Sequence, residues 1–343
     1  MPSPDTDRIL QQLRAESALP EGARVQTDPS DSERRLIPFI DNPTPSVAAH
    51  YPIVDIEVDT QTPRTYRDHL VDILPTDIVE SVEWPRRHEF IGDLILIKLN
   101  DEQRPHGDAI GEALLRQHSR TRAVFEDGGV IGDFRVRDLN LLAVRDGHES
   151  TTRTRILENE NYLWTDPTTV YYSSRLSHER EGTLATALNL REELGRPLII
   201  CAPYAGVGPS LLPLISEPDL IEELFAGDLN PSAAEFLREN IQHPSATIEC
   251  ADARLLKERP EMCEKFDILL VNIPHDTLEH LPELLPLIRP GGLVRGWAII
   301  EHSEFQDAQV RVRDILGPEA ELERRRSYSA SADLCRLDAR KAT

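Results

Sequence analysis

The spacing of hydrophobic residues along the chain changes at about residue 177. From Ser177 onward, short apolar runs alternate with stretches in which hydrophobic residues recur every three or four positions. The runs predict buried strands, and the stretches predict amphipathic helices. Strands that alternate with helices form a doubly wound, mainly parallel sheet. We therefore predict a Rossmann-like α/β domain over residues 173–343.

The same pattern gives the elements of this domain. Its predicted strands are Leu198–Cys201, Leu224–Ala226, Thr247–Cys250, Phe266–Val271, Leu293–Ile300 and a last strand or hairpin within Arg326–Ala339. Its predicted helices include Ala233–Ile241, Leu278–Ile288, closed by Pro290-Gly291-Gly292, and Ala308–Leu316.

The preceding residues 61–172 predict an α+β domain that is rich in hairpins. Its clearest strand region is His88–Leu99. Strands are also expected at Ala123–Phe125 and Gly132–Val144 around the turn Asp127-Gly128-Gly129, which would place Arg135 and Arg137 on one strand face. The other predicted elements are the strand pair Thr152–Ile156 and Tyr162–Tyr172 and the helices Tyr66–Leu74, Thr76–Val82 and Ile110–Gln117.

Residues 1–60 predict a small N-terminal domain. A helix is expected over Thr6–Leu19 and a strand over Leu36–Ile40. The region from Asp41 to Arg64 contains four prolines and is expected to be a linker with one strand, Ile53–Val58.

The charge is strongly negative. Asp and Glu total 60 against 38 Lys and Arg, the formal net charge is −22, and only four of the basic residues are lysines. An acidic, lysine-poor surface resembles that of proteins from salt-loving archaea. The charge alone argues against a nucleic-acid partner, but concentrated salt shortens the Debye length to about 3 Å and removes that objection.

The cysteines and hydrophobic runs restrict the class of protein further. The four cysteines are scattered with no C-x-x-C pair, which argues against zinc or a disulfide framework and fits a reducing cytoplasm. No apolar run approaches 18 residues, and the first residues lack the basic and apolar regions of a signal peptide. We therefore expect a cytoplasmic protein with no metal and no membrane partner.

The stretch Pro197–Pro231 is expected to hold a ligand at the carboxyl ends of the first two parallel strands. It contains Tyr204-Ala205-Gly206-Val207-Gly208 and then Gly227-Asp228. The glycines permit close approach of the backbone, and Asp228 could accept hydrogen bonds from ribose hydroxyls. The third glycine of the dinucleotide pattern is missing, so the pattern suits an adenosine ligand without pyrophosphate, such as S-adenosylmethionine. The alternative is an ordinary strand-to-helix turn.

Three further groups carry candidate chemistry. Asn272-Ile273-Pro274-His275 follows the fourth strand and could hold the edge of a planar base, or be a plain turn. Asp252 ends the third strand and could accept from an adenine amino group, or cap a helix. Arg175 and Glu179 are four residues apart and could share a helix face, or form a solvated ion pair.

These residues lie in a series of motifs that resembles a known family. The sequence is similar to the archaeal tRNA (guanine-N1)-methyltransferases, which modify the guanosine just 3′ of the anticodon, guanosine 37. The similarity covers nearly all the chain. The matching pieces, in the family's order, are HEFIGDLILIKL, GDFRVRDL, VYYSSRLSHERE, YAGVGP, GDLNP and VNIPH.

The resemblance implies an enzyme that takes a methyl group from S-adenosylmethionine. It implies that the N-terminal domain touches the outer corner of tRNA, that the middle domain holds the anticodon arm, and that the protein is a monomer. The implied catalytic residues are Glu179 as general base, Arg135 at guanine O6 and Asn272 at the base edge. Tyr171, Arg175 and Pro274 would shape the substrate pocket, and the cofactor would contact Tyr204, Gly206, Gly208, Asp228, Asp252 and Asn272.

The sequence departs from the family on the cofactor side. Ala202-Pro203 stands where the family has an acidic residue before the aromatic of YAGVG, and Ser210, Ser174 and His275 also differ from the usual residues. Two alternatives therefore remain open. One is the sister family that transfers the aminocarboxypropyl group of the same cofactor to a wyosine precursor in tRNA, and the other is a tRNA-binding paralogue that has lost catalysis.

Overall fold

The chain forms two compact units in a computed structural model that describes residues 6–15, 18–19, 25–28, 31–40, 50–54, 65–173 and 176–341. The first unit contains the described residues up to Trp84 together with Arg116–Ser119, and the second contains the rest. Within the described part, every helix is too short or too polar to cross a membrane.

The first unit consists of short helices and one small sheet. Helix α1 buries Ile9 and Leu13, which lie four positions apart on one face. Helix α1 ends earlier than predicted. The strand predicted at Leu36–Ile40 is also displaced, because the observed strand is made of mostly polar residues and ends at Leu36. Of the strand predicted at Ile53–Val58, the first two residues are exposed and in no strand, and residues 55–58 lie outside the described part. The elements are α1 (Thr6–Ala15), β1 (Gln26–Asp28), β2 (Asp31–Leu36), α2 (Tyr66–Leu70) and α3 (Thr76–Ser81).

The second unit begins with a four-stranded sheet in the order β3-β4-β5-β6. Strand β4 pairs antiparallel with β3 and parallel with β5, and all four of its residues are buried. Helix α4 buries its apolar face beside this sheet and supplies the crossover that parallel strands require. The bounds are β3 (His88–Ile91), β4 (Leu94–Ile97), α4 (Gly107–Gln117), β5 (Ala123–Ile131) and β6 (Val136–Val144).

The turn predicted at Asp127-Gly128-Gly129 is wrong. Strand β5 runs through these residues with a shift of register, and the chain reverses at Gly132–Arg135 instead. Asp127 Oδ1 accepts a hydrogen bond from the Gly129 N–H at 3.0 Å, so the Asp-Gly-Gly sequence forms a bulge inside the strand. Arg135 therefore lies in a tight turn and does not share a strand face with Arg137.

A separate hairpin, β7 (Thr154–Glu158) and β8 (Asn161–Thr165), links this sheet to the rest of the second unit. Its turn residues Asn159 and Glu160 both have positive φ, as a two-residue hairpin turn requires. Asn240 fastens the hairpin to the last part of the chain, because its side chain bonds the backbone N–H of Trp164 at 2.7 Å and the carbonyl of the same residue at 2.9 Å.

The last part of the chain is a seven-stranded sheet in the order β11-β10-β9-β12-β13-β15-β14. The first five strands of this order are parallel, and β15 and β14 add an antiparallel edge. The doubly wound, mainly parallel α/β fold is thus confirmed. The strands are β9 (Leu198–Ala202), β10 (Ile221–Asp228), β11 (Ala246–Cys250), β12 (Phe266–Val271), β13 (Ile288–Glu301), β14 (Glu321–Ser327) and β15 (Ala332–Arg340).

The helices of this part pack on the sheet as the periodicity predicts, with one difference. The helix predicted over Leu278–Ile288 ends as an α-helix at Leu284, and Leu285–Leu287 is a 3-10 turn that contains Pro286. Gly291 and Gly292 do not close a helix but lie within β13. The helices are α5 (Ser177–Leu194), α6 (Leu212–Ile215), α7 (Pro231–Asn240), α8 (Thr277–Leu284) and α9 (Phe305–Leu316).

Candidate active site

The order of the strands brings three of the predicted loops to one place. Strand β9 lies between β10 and β12, so the chain leaves the sheet in opposite directions after β9 and after β12. Open α/β sheets bind ligands at such a switch point, outside the carboxyl ends of the strands. The Tyr204–Gly208 loop follows β9, Asp228 ends β10 and Asn272 follows β12. The predicted meeting of these three loops at one end of the sheet is confirmed.

Asp228 fastens two of these loops together. Its Oδ2 accepts from the Gly206 N–H at 2.9 Å, and its Oδ1 accepts from the Asn230 N–H at 2.9 Å. Burial raises the pKa of the Asp228 carboxyl, although these backbone hydrogen bonds oppose the rise. Each carboxylate oxygen keeps a second acceptor position, so the carboxylate can hold the loop and still bind hydroxyl groups.

The two glycines of the loop have different surroundings. Gly206 has φ +56°, and a Cβ there would have no heavy atom within 4 Å. Gly208 has φ +88°, and a Cβ there would lie 2.8 Å from Cδ1 of Leu237 on α7. Gly206 therefore faces open space, whereas Gly208 permits close packing of the loop on a helix. A cofactor contact at Gly208 stays a prediction.

Tyr204 and Asp252 lie beside this loop. The Tyr204 hydroxyl is 2.7 Å from Nδ1 of His280 on α8, and burial together with the charge of Asp252 raises the pKa of Tyr204. Asp252 accepts from the Arg254 N–H at 3.0 Å, as the cap of the 3-10 helix Ala253–Glu258, so the helix-cap interpretation is confirmed. Hydrogen bonds from the Arg254 side chain hold the pKa of Asp252 below its usual value.

The Asn272–His275 turn is held by its backbone. The Pro274 carbonyl accepts from the Ile299 N–H of β13 at 2.8 Å, and the Ile273 carbonyl accepts from the Thr277 hydroxyl at 2.8 Å. The Asn272 side chain is half-buried, and no group in the described part of the chain forms a hydrogen bond with its amide. The backbone of the turn is therefore held in place, and the donor and acceptor groups of the Asn272 amide are available.

Arg135 reaches the same region from the β5–β6 turn. It is exposed and has φ +55°, whereas Arg137 is paired with Asp127 at 2.7 Å and with Glu89 at 3.0 Å. Burial and then the positive charge of Arg135 lower the pKa of His275. Arg135 thus lies close enough to the Asn272 turn for its charge to act there, and Arg137 does not compete for that role.

Glu179 lies on the first turn of α5 and is 9 % exposed. Its carboxylate accepts from Trp297 Nε1 at 3.2 Å and from Arg325 Nε at 2.8 Å, and Arg336 lies 3.7 Å away. Burial alone would raise the pKa of Glu179, but the hydrogen bonds from Arg325 and Trp297 outweigh it and hold the pKa below its usual value. Arg175 precedes the helix and lies outside the described residues, so the predicted pair of Arg175 with Glu179 stays a prediction.

A buried ion pair secures the segment before α5. Arg180, 4 % exposed, donates to Glu158 of β7 at 2.6 Å and to the Ser173 carbonyl at 2.7 Å. The Tyr172 hydroxyl donates to the same carboxylate. Tyr171, next in this segment, is 48 % exposed and free to contact a substrate. Sequence reasoning missed Glu158, Trp297, Arg325 and Arg336, because none of them belongs to a local motif.

Comparisons with known proteins identify related sequences. Residues 66–149 match the family model described as the TYW2 N-terminal domain, and residues 154–319 match the TRM5/TYW2 methyltransferase domain. The chain is 28% identical over 247 residues to the tRNA (guanine(37)-N(1))-methyltransferase Trm5b of Pyrococcus abyssi, covering 71% of this chain and 68% of that protein. It is 30% identical over 223 residues to the tRNA (guanine(37)-N(1))-methyltransferase of Dictyostelium discoideum, covering 63% of this chain but only 45% of that protein.

Solved structures share the fold. The crystal structure of Pyrococcus abyssi Trm5b superposes with a TM-score of 0.68 at 23% identity and covers 100% of this chain and 98% of that one. A complex of aTrm5 with tRNALeu gives a TM-score of 0.63 at 22% identity and covers 99% and 98% of the two chains. Pyrococcus horikoshii TYW2 in complex with MeSAdo gives 0.61 at 20% identity and covers 80% and 97%.

Proposed function

Because this chain belongs to the family of the TRM5/TYW2 methyltransferase domain, we propose that it transfers a methyl group from S-adenosylmethionine to N1 of guanosine 37 in tRNA. The names of the relatives support this activity, since they are tRNA (guanine(37)-N(1))-methyltransferases. The observation that carries the proposal is the meeting of the Gly206 loop, Asp228 and Asn272 at the switch point of the sheet.

The residues at this switch point fit an adenosine cofactor. Gly206 faces open space, and the carboxylate of Asp228 keeps acceptor positions for ribose hydroxyls. Tyr204 and Gly206 would line the cofactor, with Asp252 near the adenine. When bound, the cofactor supplies a methyl group that is open to nucleophilic attack. Ala202 ends β9 as a buried apolar residue where the family has an acid, so we expect Tyr204 and Asp228 to carry more of the binding.

The remaining residues suit the chemistry of guanine N1. This nitrogen carries a proton and becomes nucleophilic only when the proton leaves, so Glu179 would accept it as general base. Negative charge then grows at O6, where Arg135 would stabilise it. Asn272 would hold the base edge, and Tyr171, Arg175 and Pro274 would line the pocket into which the base is turned from its stack.

Two other activities remain as candidates. The match of residues 66–149 to a domain named after TYW2 favours aminocarboxypropyl transfer as the second candidate. The absent acid at Ala202 favours a tRNA-binding protein without catalysis. The methyl and aminocarboxypropyl groups differ in mass, and a protein without catalysis adds neither. Nucleoside masses therefore distinguish the three activities when both a guanosine 37 tRNA and a tRNA that carries the wyosine precursor are offered.

The test of the proposed function is the mass of the modified nucleoside. We expect purified protein in molar salt to add one methyl group to a tRNA transcript that carries guanosine 37, and none to a matched transcript with adenosine 37. Mass spectrometry of the digested nucleosides reads the result. Addition of an aminocarboxypropyl group, or an unmodified guanosine 37, would contradict the proposal.

We also propose the setting in which the protein works. The family resemblance implies three parts, divided at residues 60 and 172, and a monomeric state. It also implies that the first part contacts the outer corner of tRNA and that the middle part contacts the anticodon arm. The acidic composition supports a salt-rich archaeal cytoplasm. The four cysteines are unpaired, which supports a reducing compartment.

Asn272→Ala is expected to lower the rate of methyl transfer at least about tenfold while cofactor affinity stays within a few-fold, since its amide is assigned to the base edge. Single-turnover kinetics and calorimetry measure the two effects. Gln306→Ala removes an exposed amide on α9 and serves as the control. If cofactor affinity falls as much as the rate does, Asn272 belongs to the cofactor site instead.

A further inference from the structure

A surface cavity of about 480 Å³ lies beside strands β3 and β4 of the second unit. Three of its lining residues are the basic side chains of Arg86, Arg87 and Lys98, all of them exposed. None of the described residues that line it is acidic. The described lining of this cavity thus carries three cations in a chain whose formal net charge is −22.

Two of the three basic residues of this cavity, Arg87 and Lys98, differ from most other basic residues in the described part of the fold. Most described arginines and lysines are paired with carboxylates; Arg104, for example, lies 2.7 Å from Asp101 and 2.8 Å from Glu126. Within the described part, Arg87 and Lys98 have no carboxylate partner. Arg104 engages Asp101 and Glu126, so neither of these carboxylates balances the charges of Arg87 and Lys98.

The backbone on one side of the cavity is fixed in shape. The Asn100 side chain accepts from the Gln103 N–H at 2.9 Å, and the Gln103 side chain accepts from the Asn100 N–H at 3.0 Å. Both residues line the cavity. This reciprocal pair holds the loop after Lys98, so the cavity needs no reordering of that loop when a ligand binds.

The register of the sheet relates the cavity to Arg135. His88 pairs with Ile97, so Arg87 and Lys98 flank the same end of the β3–β4 hairpin. Ile97 pairs with Glu126 of the parallel strand β5, which continues in the same direction to Ile131 and the turn of Arg135. Five residues of strand span about 15 Å. The cavity and Arg135 therefore lie along one end of the sheet.

We propose that this cavity binds the phosphate backbone of the tRNA strand that carries the target base. The inference rests on the proposed function, since it takes Arg135 as the position of that base. A stacked strand rises about 3.4 Å per nucleotide, so the phosphates in the cavity belong to nucleotides roughly four or five steps from the target. Arg87 and Lys98 contact these phosphates with their charged side chains. Such contacts do not depend on the nucleotide sequence.

The test is the salt dependence of tRNA binding by the double variant Arg87→Ala, Lys98→Ala. We expect its affinity for a tRNA transcript to fall roughly tenfold at the lowest salt that keeps the protein folded. The slope of log affinity against log salt should become shallower by about 0.7 for each phosphate that the variant no longer neutralises. The two single variants should each show part of both effects, and cofactor affinity should not change.

The matched control is the double variant Arg238→Ala, Arg311→Ala. It removes the same charge from exposed positions on α7 and α9, where neither arginine has a carboxylate partner in the described part of the chain. We expect its tRNA affinity and salt slope to stay near those of wild type. If both double variants lose the same amount of tRNA affinity and salt slope, the effect reflects the net charge of the protein and not the cavity. That result would overturn the proposal.

The outcomes also separate this inference from the proposed function. If wild type methylates the guanosine 37 transcript and the cavity variant binds it with unchanged affinity and slope, only the cavity assignment fails. If wild type binds no tRNA at all, both the proposed function and the cavity assignment fail.

Discussion

Glu179→Gln is expected to lower the rate of a single methyl-transfer turnover by roughly 10²-fold or more, with tRNA affinity nearly unchanged. Glutamine keeps the size and hydrogen-bonding reach of the side chain but is a far weaker base. The substituted residue would still contact Trp297 and Arg325. A higher pH should restore part of the rate, because hydroxide can remove the N1 proton. Rapid-quench kinetics with saturating enzyme measures the effect.

The neighbouring residue Glu181 provides the control for this experiment. It lies on the same helix with an exposed side chain and a 3.7 Å contact to His178. Glu181→Gln therefore makes the same chemical change at a carboxylate that does not contact Trp297 or Arg325. It should leave the rate near that of wild type. A wild-type rate in Glu179→Gln would instead leave Glu179 as the structural partner of Arg325 and Arg336.

The arginines around Glu179 add a pH signature to its assignment. Glu179 must be ionised to accept a proton, and its pKa lies below the usual value, so activity should persist into mildly acidic solution. The rate should fall only as the pH drops through that lowered pKa. Arg325→Met removes the nearest charge while Arg336 remains, so the pKa should rise and the acidic limb of the pH–rate profile should move to higher pH.

Asp228→Ala is expected to abolish measurable binding of S-adenosylmethionine, a loss of at least about 100-fold. The substitution removes the ribose acceptor and also the bonds that hold the Gly206 and Asn230 N–H groups. Calorimetry in molar salt measures the affinity. Asp228→Asn keeps the shape but turns a donor toward one of these N–H groups, so it should also bind poorly.

A control for this loss is Asp314→Ala, which removes an exposed carboxylate from α9. Its cofactor affinity should match that of wild type. Thermal unfolding of each variant separates a weakened cofactor site from a destabilised fold. Equal affinity of wild type and Asp228→Ala would refute the assignment of the cofactor site to the end of β10.

The sequence predicted the parallel sheet because burial and periodicity agree there. Strand β12 has the predicted bounds Phe266–Val271, and all six of its residues are buried. Strand β2 escaped prediction because its residues Asp31–Leu36 are mostly polar and its sheet has two strands. The Asp-Gly-Gly of β5 resembled a turn because the residues that favour turns also favour bulges. Only the pairing with β6 distinguishes the two.

The predicted positions of site residues depended on the same logic. Tyr204 and Asn272 follow strands and Asp228 ends one, and strand order alone brings the three together. The surroundings of Glu179 could not be derived this way. Trp297 and Arg325 are 118 and 146 positions away in the chain, and they reach Glu179 through the antiparallel edge β13-β15-β14. A local sequence pattern cannot predict a contact between residues that are more than 100 positions apart.

The ties between the β7–β8 hairpin and the parallel sheet determine where the chain can be cut into fragments. Asn240 bonds Trp164 on the hairpin and the Val207 carbonyl in the Gly206 loop, while Asn230 donates to the Thr169 carbonyl at 2.8 Å. A fragment that starts at residue 173 loses Glu158 and Tyr172, so it breaks the buried ion pair of Arg180 and exposes the first turn of α5. A catalytic fragment intended to fold by itself should therefore begin before Thr154, with the hairpin included.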